Sequence, residues 1–389
     1  MSNTTMTATA RDANTQAAGG AASAAVRAVL EQLVAEGPEI GLQVAAYLDG
    51  QLVVDAWAGV ADPTTGRKVD GDTLFMLSST TKGVTATCAH VLAGQGKLDY
   101  DKPMAYYWPE FGAHGKDRVS VRDVMAQRSG IPQTPVGYTP EWLADWERMC
   151  RGIADLTPMF EPGQRTAYAS LTYGHMVGEV LRRADGRPIN QILREDICKP
   201  LGDIDIFLGV PDSELPRVAI LVDAPPAPAE YDARMVGEPA GSQVAHWFNR
   251  REIQQAAIPG SGGIMSARGL ARHYAMLANW GELDGVRVLS RAAIERGIEL
   301  QSFEWDEIYR VRVRRAIGYR RGPDCGPHAG PSAFGHVGGG GSFGYADPDR
   351  KFAIGFAKNY FTYATGPIGP APRRAGQAVA DAVVSALGL

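Results

Sequence analysis

The sequence predicts an α/β protein of the α+β type, an antiparallel sheet flanked by helices with an all-helical lobe inserted between its strands. Three observations predict it. Near the N-terminus, apolar runs at 41–48 and 51–58 flank Asp49-Gly50, a dipeptide that favours a tight hairpin turn. Near the C-terminus, apolar runs return at 333–337, 342–346 and 351–359. Between the two, from about 100 to 235, prolines, turns and short helical patterns dominate. Strands at both ends with helices between them fit one sheet covered by helices.

Taken in order, residues 1–22 are rich in Thr, Ala, Asn and Gly and read as a disordered leader. Residues 23–36 carry Val26, Val29, Leu30, Leu33 and Val34 in helical register, with Ser23 as the expected N-cap and Gly37-Pro38 as the stop. A helix is expected from Ser79 to about Gly94, with Val84, Cys88, Val91 and Leu92 on one face. Further helical patterns run over 120–126, 170–183, 266–280 and 373–387. These readings divide the chain into the leader, a sandwich domain of residues 23–100 plus 236–389, and a helical lobe of residues 101–235, all forming one unit.

Bulk properties exclude several function classes. The chain has 389 residues, 45% hydrophobic and 21% charged, enough for a sizeable core and too apolar for general disorder. A formal net charge of −4 shows no attraction to nucleic acid or to anionic membranes. No run is long enough to span a bilayer, and residues 1–22 lack the apolar centre of a signal peptide, so a cytoplasmic location is expected. The four cysteines, Cys88, Cys150, Cys198 and Cys325, have no metal-site spacing. The seven histidines form no H-x-H or H-E-x-x-H pair, and neither a Walker loop nor a post-strand G-x-G-x-x-G is present. No cofactor is expected.

The chemistry concentrates in Ser79-Thr80-Thr81-Lys82. Residues three apart share a helix face, so an amine at 82 can reach a hydroxyl at 79. A serine hydroxyl becomes a nucleophile once a neighbouring base takes its proton, and the positive end of a helix favours a developing oxyanion. Tyr168-Ala169-Ser170 follows later, and His336-Val337-Gly338 opens the run through Gly339-Gly340-Gly341-Ser342.

S-x-x-K, then Y-x-[NS], then [KHW]-x-G, in this order, resembles the serine β-lactamase-like superfamily, and within it class C β-lactamases and family VIII carboxylesterases. Phe75-Met76-Leu77-Ser78, Ser129-Gly130-Ile131-Pro132, Pro200-Leu201-Gly202 and Phe207-Leu208-Gly209 extend the resemblance over most of residues 40–389. It implies a β-lactamase/DD-peptidase-like fold with the active site between sheet domain and helical lobe. It also implies roles for the matching residues. Ser79 is the nucleophile, and Lys82 and Tyr168 share the base and acid work. The N–H groups of Ser79 and Gly339 form the oxyanion hole. Ser170, His336 and Gly338 contact substrate. Tyr173 is a nearby alternative to Tyr168.

Two departures narrow the reaction. Ser170 stands where many relatives carry asparagine, and a hydroxyl lacks the two N–H donors of an amide. His336 stands where β-lactamases and cell-wall peptidases usually carry lysine, and a histidine is mostly neutral at pH 7. The serine weakens a β-lactamase reading, and the histidine points to substrates lacking an obligatory carboxylate. The expected activity is a serine hydrolase acting on a small-molecule ester through an acyl-enzyme. The alternative is a transacylase passing the acyl group to an amine or alcohol in a natural-product pathway. β-Lactam hydrolysis and a non-catalytic binding module rank lower. The sequence says nothing of oligomeric state.

Two other patterns compete for attention. Gly340-Gly341-Ser342-Phe343-Gly344 fits the G-x-S-x-G nucleophile elbow, but that motif needs a histidine after the serine, and the last histidine here is His336. Arg310, Arg312 and Arg314 alternate with valines, which places them on one face of a strand, either solvated or meeting an anion.

Overall fold

The computed structural model describes residues 20–225, 244–362 and 373–389. Most of the expected leader lies outside the described residues. Helix α1 (Gly20–Glu36) begins three residues before the expected cap. Ser23 does not cap it. Its hydroxyl instead accepts the Asp55 N–H at 3.0 Å and ties α1 to the sheet.

The hairpin forms as the sequence predicts. Strand β1 (Gly41–Leu48) pairs with β2 (Gln51–Asp62), Leu48 opposite Gln51. Asp49 and Gly50 both take positive φ, 48° and 79°, the requirement of a type I′ turn. Short β3 (Arg67–Lys68) follows at the sheet edge. Beyond it come β4 (Phe75–Met76), helix α2 (Thr81–Gly94) and, in the helix-rich middle, α3 (Thr172–Asp185) and β5 (Ile206–Phe207). The chain then forms β6 (Ile264–Met265), α4 (Ala267–Ala278), β7 (Ser302–Trp305), β8 (Arg312–Arg315) and β9 (Arg320–Arg321). It closes with β10 (Phe334–Val337), β11 (Phe343–Asp347), β12 (Phe352–Lys358) and α5 (Arg373–Leu387).

Nine strands form one antiparallel sheet in the order β7-β8-β9-β10-β11-β12-β1-β2-β3. N- and C-terminal strands meet at its centre, where β1 pairs with β12. Both central strands are buried along almost their whole length, so they read as apolar runs instead of alternating ones. Helices α1 and α5 cover one face with Val26, Leu30, Val379 and Val383 against Val44, Val54 and Phe356. On the other face α4 lays Leu270, Ala271 and Tyr274 into the larger core that includes α2 and α3. Helix α2 departs from the expected one-sided pattern, because every residue from Thr81 to Leu92 is buried. Its threonines find partners on distant segments. Thr85 donates to the Pro259 carbonyl at 2.6 Å, and Thr87 lies 2.8 Å from His273 Nε2 and 2.7 Å from Tyr319 Oη. Among the described residues no helix is long and apolar enough to cross a membrane.

Candidate active site

Strands β4, β5 and β6 form a small sheet that delivers the chain to the start of α2. Leu77 N–H donates to the Gly263 carbonyl at 3.0 Å. Ser78 then turns into the left-handed region at φ 45°, a conformation disfavoured for a residue with a Cβ. Thr81 Oγ1 holds it there by donating to Ser78 O at 2.5 Å while accepting Gly263 N–H at 3.0 Å. Residues Ser78–Thr80 form a single 3₁₀ turn, and the α-helix proper starts at Thr81. Ser79 therefore sits on a strained turn just ahead of the helix and not on its first α-helical turn. The three-residue spacing still works: Lys82 Nζ lies 3.2 Å from Ser79 Oγ.

Lys82 is 1% exposed and its ammonium also donates to the carbonyls of Ser170 at 2.6 Å and Gly260 at 2.7 Å. The ammonium lies 4.7 Å from the Tyr168 ring centre. Burial alone would push the Tyr168 phenol up, but the Lys82 and Arg320 charges and the polar contacts with Lys82 and Ser79 outweigh it, and the group sits below the ordinary tyrosine value. Its Oη is fully buried, and the approach to those neighbours falls short of hydrogen-bond geometry among the described residues. Tyr173 also lies near Lys82, at 5.5 Å to its ring centre, yet burial there dominates and pushes its phenol up. The electrostatics thus separate two tyrosines that sequence spacing leaves as alternatives.

His336 is buried on β10. Burial, then the Arg320 and Lys82 charges, pushes its imidazole well below the ordinary value, so it is neutral at pH 7. Its Nδ1 lies 2.7 Å from the Val337 carbonyl. A carbonyl only accepts, so the hydrogen is on Nδ1 and Nε2 keeps a lone pair. Gly338 has no room for a side chain: a Cβ there would stand 2.3 Å from Ser342 Oγ and 2.4 Å from Leu77 O. Its N–H donates to Ser342 O at 2.7 Å. Gly339 starts a tight turn packed on Phe361, near Ser78. Among the described residues the N–H groups of Ser79 and Gly339 donate to no protein acceptor. Ser170 meets Lys82 through its backbone carbonyl, an atom that any residue supplies.

Several structural roles were not read from sequence. Ser342, the serine of the G-x-S-x-G pattern, lies 3.0 Å from Thr80 Oγ1 and donates to Leu77 O at 3.0 Å. It staples the glycine-rich turn to the Ser79 turn. Asp306, fully buried, accepts the N–H groups of Ile308 and Tyr309, both at 2.9 Å, and pairs with Arg315. That pair packs the Tyr309 ring 4.5 Å from Tyr168. Gln127 Oε1 accepts Ala169 N–H at 2.7 Å and fixes the segment from the other side. Of the two readings of the arginine stripe, the structure has the solvated one, with Arg312 and Arg314 in β8 and Arg310 ahead of it. Arg310 and Arg312 face solvent, and Arg314 stacks 4.2 Å over Phe303. Among the described residues the buried arginines are Arg315 and Arg320, on opposed positions of β8 and β9. The only sequence signal for them is parity, since Arg315 shares its strand face with Val313.

Known proteins bear on this geometry directly. The sequence model of the Beta-lactamase family matches residues 26–378. The chain belongs to the Beta-lactamase family. Among curated proteins in and around the family, the chain is 35% identical over 339 residues to the esterase/beta-lactamase LipL of Mycobacterium tuberculosis, covering 82% of this chain and 77% of LipL. Among solved structures it resembles a family VIII carboxylesterase, with 33% identity, a TM-score of 0.85, and coverage of 95% of this chain and 98% of that one. A penicillin-binding protein homolog from Caulobacter crescentus gives 34% identity and a TM-score of 0.83, covering 94% of this chain and 98% of that one. The β-lactamase-like fold expected from the motifs is the fold observed.

Proposed function

We propose that this Beta-lactamase-family chain is a serine hydrolase of small carboxylic esters, working through an acyl-enzyme on Ser79. The observation that carries the reading is Ser79 Oγ at 3.2 Å from the buried Lys82 Nζ, on a turn whose N–H, like that of Gly339, has no protein acceptor among the described residues. The names of LipL and of the family VIII carboxylesterase support ester chemistry.

The ester carbonyl oxygen enters between the Ser79 and Gly339 N–H groups, where charge developing on it is stabilised by preorganised donors. Lys82 donates to two carbonyls, and its charge beside Tyr168 helps hold that phenol below the ordinary tyrosine value. Tyr168 takes the Ser79 proton as Oγ attacks the carbonyl carbon, and passes it to the alkoxide as the C–O bond breaks. Water, activated by Tyr168, then attacks the acyl-enzyme and releases the acid. An amine or alcohol bound in place of that water would make the same acyl-enzyme a transacylase. Neutral His336 gives no fixed cation at the third motif, which favours esters over β-lactams. A cytoplasmic location belongs to the same proposal, supported by four free, buried cysteines, as a reducing compartment allows. Cell fractionation tests it.

The activity test is hydrolysis of short p-nitrophenyl esters by wild type and Ser79→Ala. Turnover that vanishes in the variant is expected. A single burst of nitrophenol without turnover means that water is a poor acceptor and transfers the reading to acyl transfer. Equal turnover by both proteins overturns it.

A further inference from the structure

Strand β7 closes one edge of the nine-stranded sheet, and its outer side has no partner strand among the described residues. Its register on β8 sets Phe303 opposite Arg314 and Trp305 opposite Arg312, so these four side chains share one face. The other face carries Ser302, Val313 and Arg315, all buried, which turns Phe303 and Trp305 away from the core. Phe303 is 42% exposed and Trp305 53% exposed, and Arg314 lies 4.2 Å over the Phe303 ring. Leaving two aromatic rings in water forgoes the free energy of burying them, and contiguous patches of this kind mark interaction sites.

Charge singles out the partner. Arg310, in the turn before β8, and Arg312 are exposed, and their side chains make no hydrogen bond and no ion pair among the described residues. The carboxylates around them are engaged. Glu304 pairs with Arg128 at 2.5 Å and Glu307 with Arg165 at 3.6 Å. Asp324 accepts the Arg314 N–H at 2.7 Å and lies 3.6 Å from its guanidinium. Glu299, ahead of the strand, lies near Arg122. Two arginines thus stay uncompensated beside two exposed rings, and this edge is locally positive although the whole chain carries a formal charge of −4.

An anionic lipid surface meets both features. Trp and Phe partition into the boundary between headgroups and acyl chains, and arginines beside them reach the phosphates. An acidic peptide would meet the arginines but would leave the rings in water unless it brought apolar groups of its own. A bilayer supplies both at once. We propose that the outer face of β7 and β8, with Phe303, Trp305, Arg310 and Arg312, is a docking surface for an anionic phospholipid membrane. The docking is peripheral: the rings enter the interface and the sheet stays outside it. The turn joining the two strands carries Tyr309, whose ring stacks on Tyr168 at 4.5 Å, so a docked chain holds the Ser79 cleft beside the lipid. The docking itself does not depend on the reading of Ser79.

The test is sedimentation of the full chain with vesicles of phosphatidylcholine alone and of equal parts phosphatidylcholine and phosphatidylglycerol. Wild type should bind the mixed vesicles more strongly, and high salt should remove the difference. An arginine at an anionic surface is worth about fivefold in affinity, so Arg310→Glu/Arg312→Glu should lower the partition coefficient by about 25-fold or more. Lys68→Glu/Lys199→Glu changes the net charge equally, at exposed lysines on other elements, and should lower it far less. Phe303→Ser/Trp305→Ser should weaken binding on the order of 10-fold or more. Quenching of tryptophan fluorescence by bromine-labelled phosphatidylcholine in the mixed vesicles reads the face directly. It should occur in wild type and be lost in Trp305→Phe, a variant that keeps an aromatic ring and so keeps its binding and its fold. No wild-type binding to the mixed vesicles, an equal loss in the lysine pair, or quenching that survives in Trp305→Phe overturns the inference. Binding to polyglutamate without binding to vesicles also overturns it and assigns the face to an acidic protein.

Discussion

Tyr168→Phe separates chemistry from stability more sharply than any other substitution in this site. The change removes one oxygen from a buried side chain and nothing else. That oxygen makes no hydrogen bond of ordinary geometry among the described residues, so no donor or acceptor is stranded when it goes. Lys82 keeps the carbonyls of Ser170 and Gly260, and the ring keeps its stack on Tyr309. The stability change should stay within about 1 kcal/mol, since the cost of losing a hydrogen bond comes mainly from the partner left unpaired. The rate should fall by roughly 10² to 10⁴, or about 3–5 kcal/mol of barrier, the range for a proton-transfer group. The assay is steady-state p-nitrophenyl acetate hydrolysis beside thermal unfolding, with Tyr173→Phe as the control. Tyr173 is also buried and lies 5.5 Å from Lys82 at its ring centre, against 4.7 Å for Tyr168, but its phenol is pushed up, so Tyr173→Phe should remain within a few-fold of wild type. If Tyr168→Phe keeps near-wild-type rates, or if Tyr173→Phe is the inactive variant, the electrostatic argument is wrong.

Other expectations are shorter. Ser342→Ala loses contacts to Thr80 and Leu77 and should cost about 1 kcal/mol of stability while keeping most turnover; a folded but inactive variant would move the nucleophile to Ser342. Gly338→Ala forces a Cβ to within 2.3 Å of Ser342 Oγ, so it should lose activity together with about 1–3 kcal/mol of stability, read by denaturant titration. Burial lowers the pKa of His90 to about 3, of His175 to about 4 and of His273 to about 3, with His336 lowered further by charges. The unfolded chain therefore binds more protons than the folded one below the ordinary histidine value. Stability should be flat above pH 7 and fall below about 6.5, by up to about 1.4 kcal/mol per pH unit for each histidine. Urea midpoints between pH 8 and pH 5 check this, and a midpoint that rises on acidification would contradict it. Finally, breaking the buried Arg315–Asp306 pair with Asp306→Asn should destabilise by several kcal/mol, measurable as a lowered melting temperature.

The three motifs were legible because their chemistry is local. Ser79 and Lys82 sit one turn apart, and Gly338 is followed by three more glycines. The hairpin at Asp49-Gly50 was legible for the same reason, since a type I′ turn demands residues that accept positive φ. The all-round burial of α2 was not, because Thr81, Thr85, Thr87 and His90 look solvated until their partners on distant segments are placed. Strand β7 escaped notice because it is an edge strand with three of its four residues exposed, so it carries no apolar run. The arginine stripe marked a strand with a solvated face. Alternation identified a strand but not which face is buried, and the buried face belongs to Arg315, which a single-strand pattern offers only as the odd position. Arg320 could not be read at all, since its charge acts on Tyr168 and His336, which only the fold brings near it.

The most direct test of the central claim is peptide mass mapping after acid quench of the enzyme with p-nitrophenyl acetate, for wild type and Ser79→Ala. The account predicts one acetyl group on the peptide bearing Ser79 in wild type, and neither adduct nor turnover in Ser79→Ala. An acetyl group on the peptide bearing Ser342, or a Ser79→Ala protein that still releases nitrophenol at the wild-type rate, would contradict it.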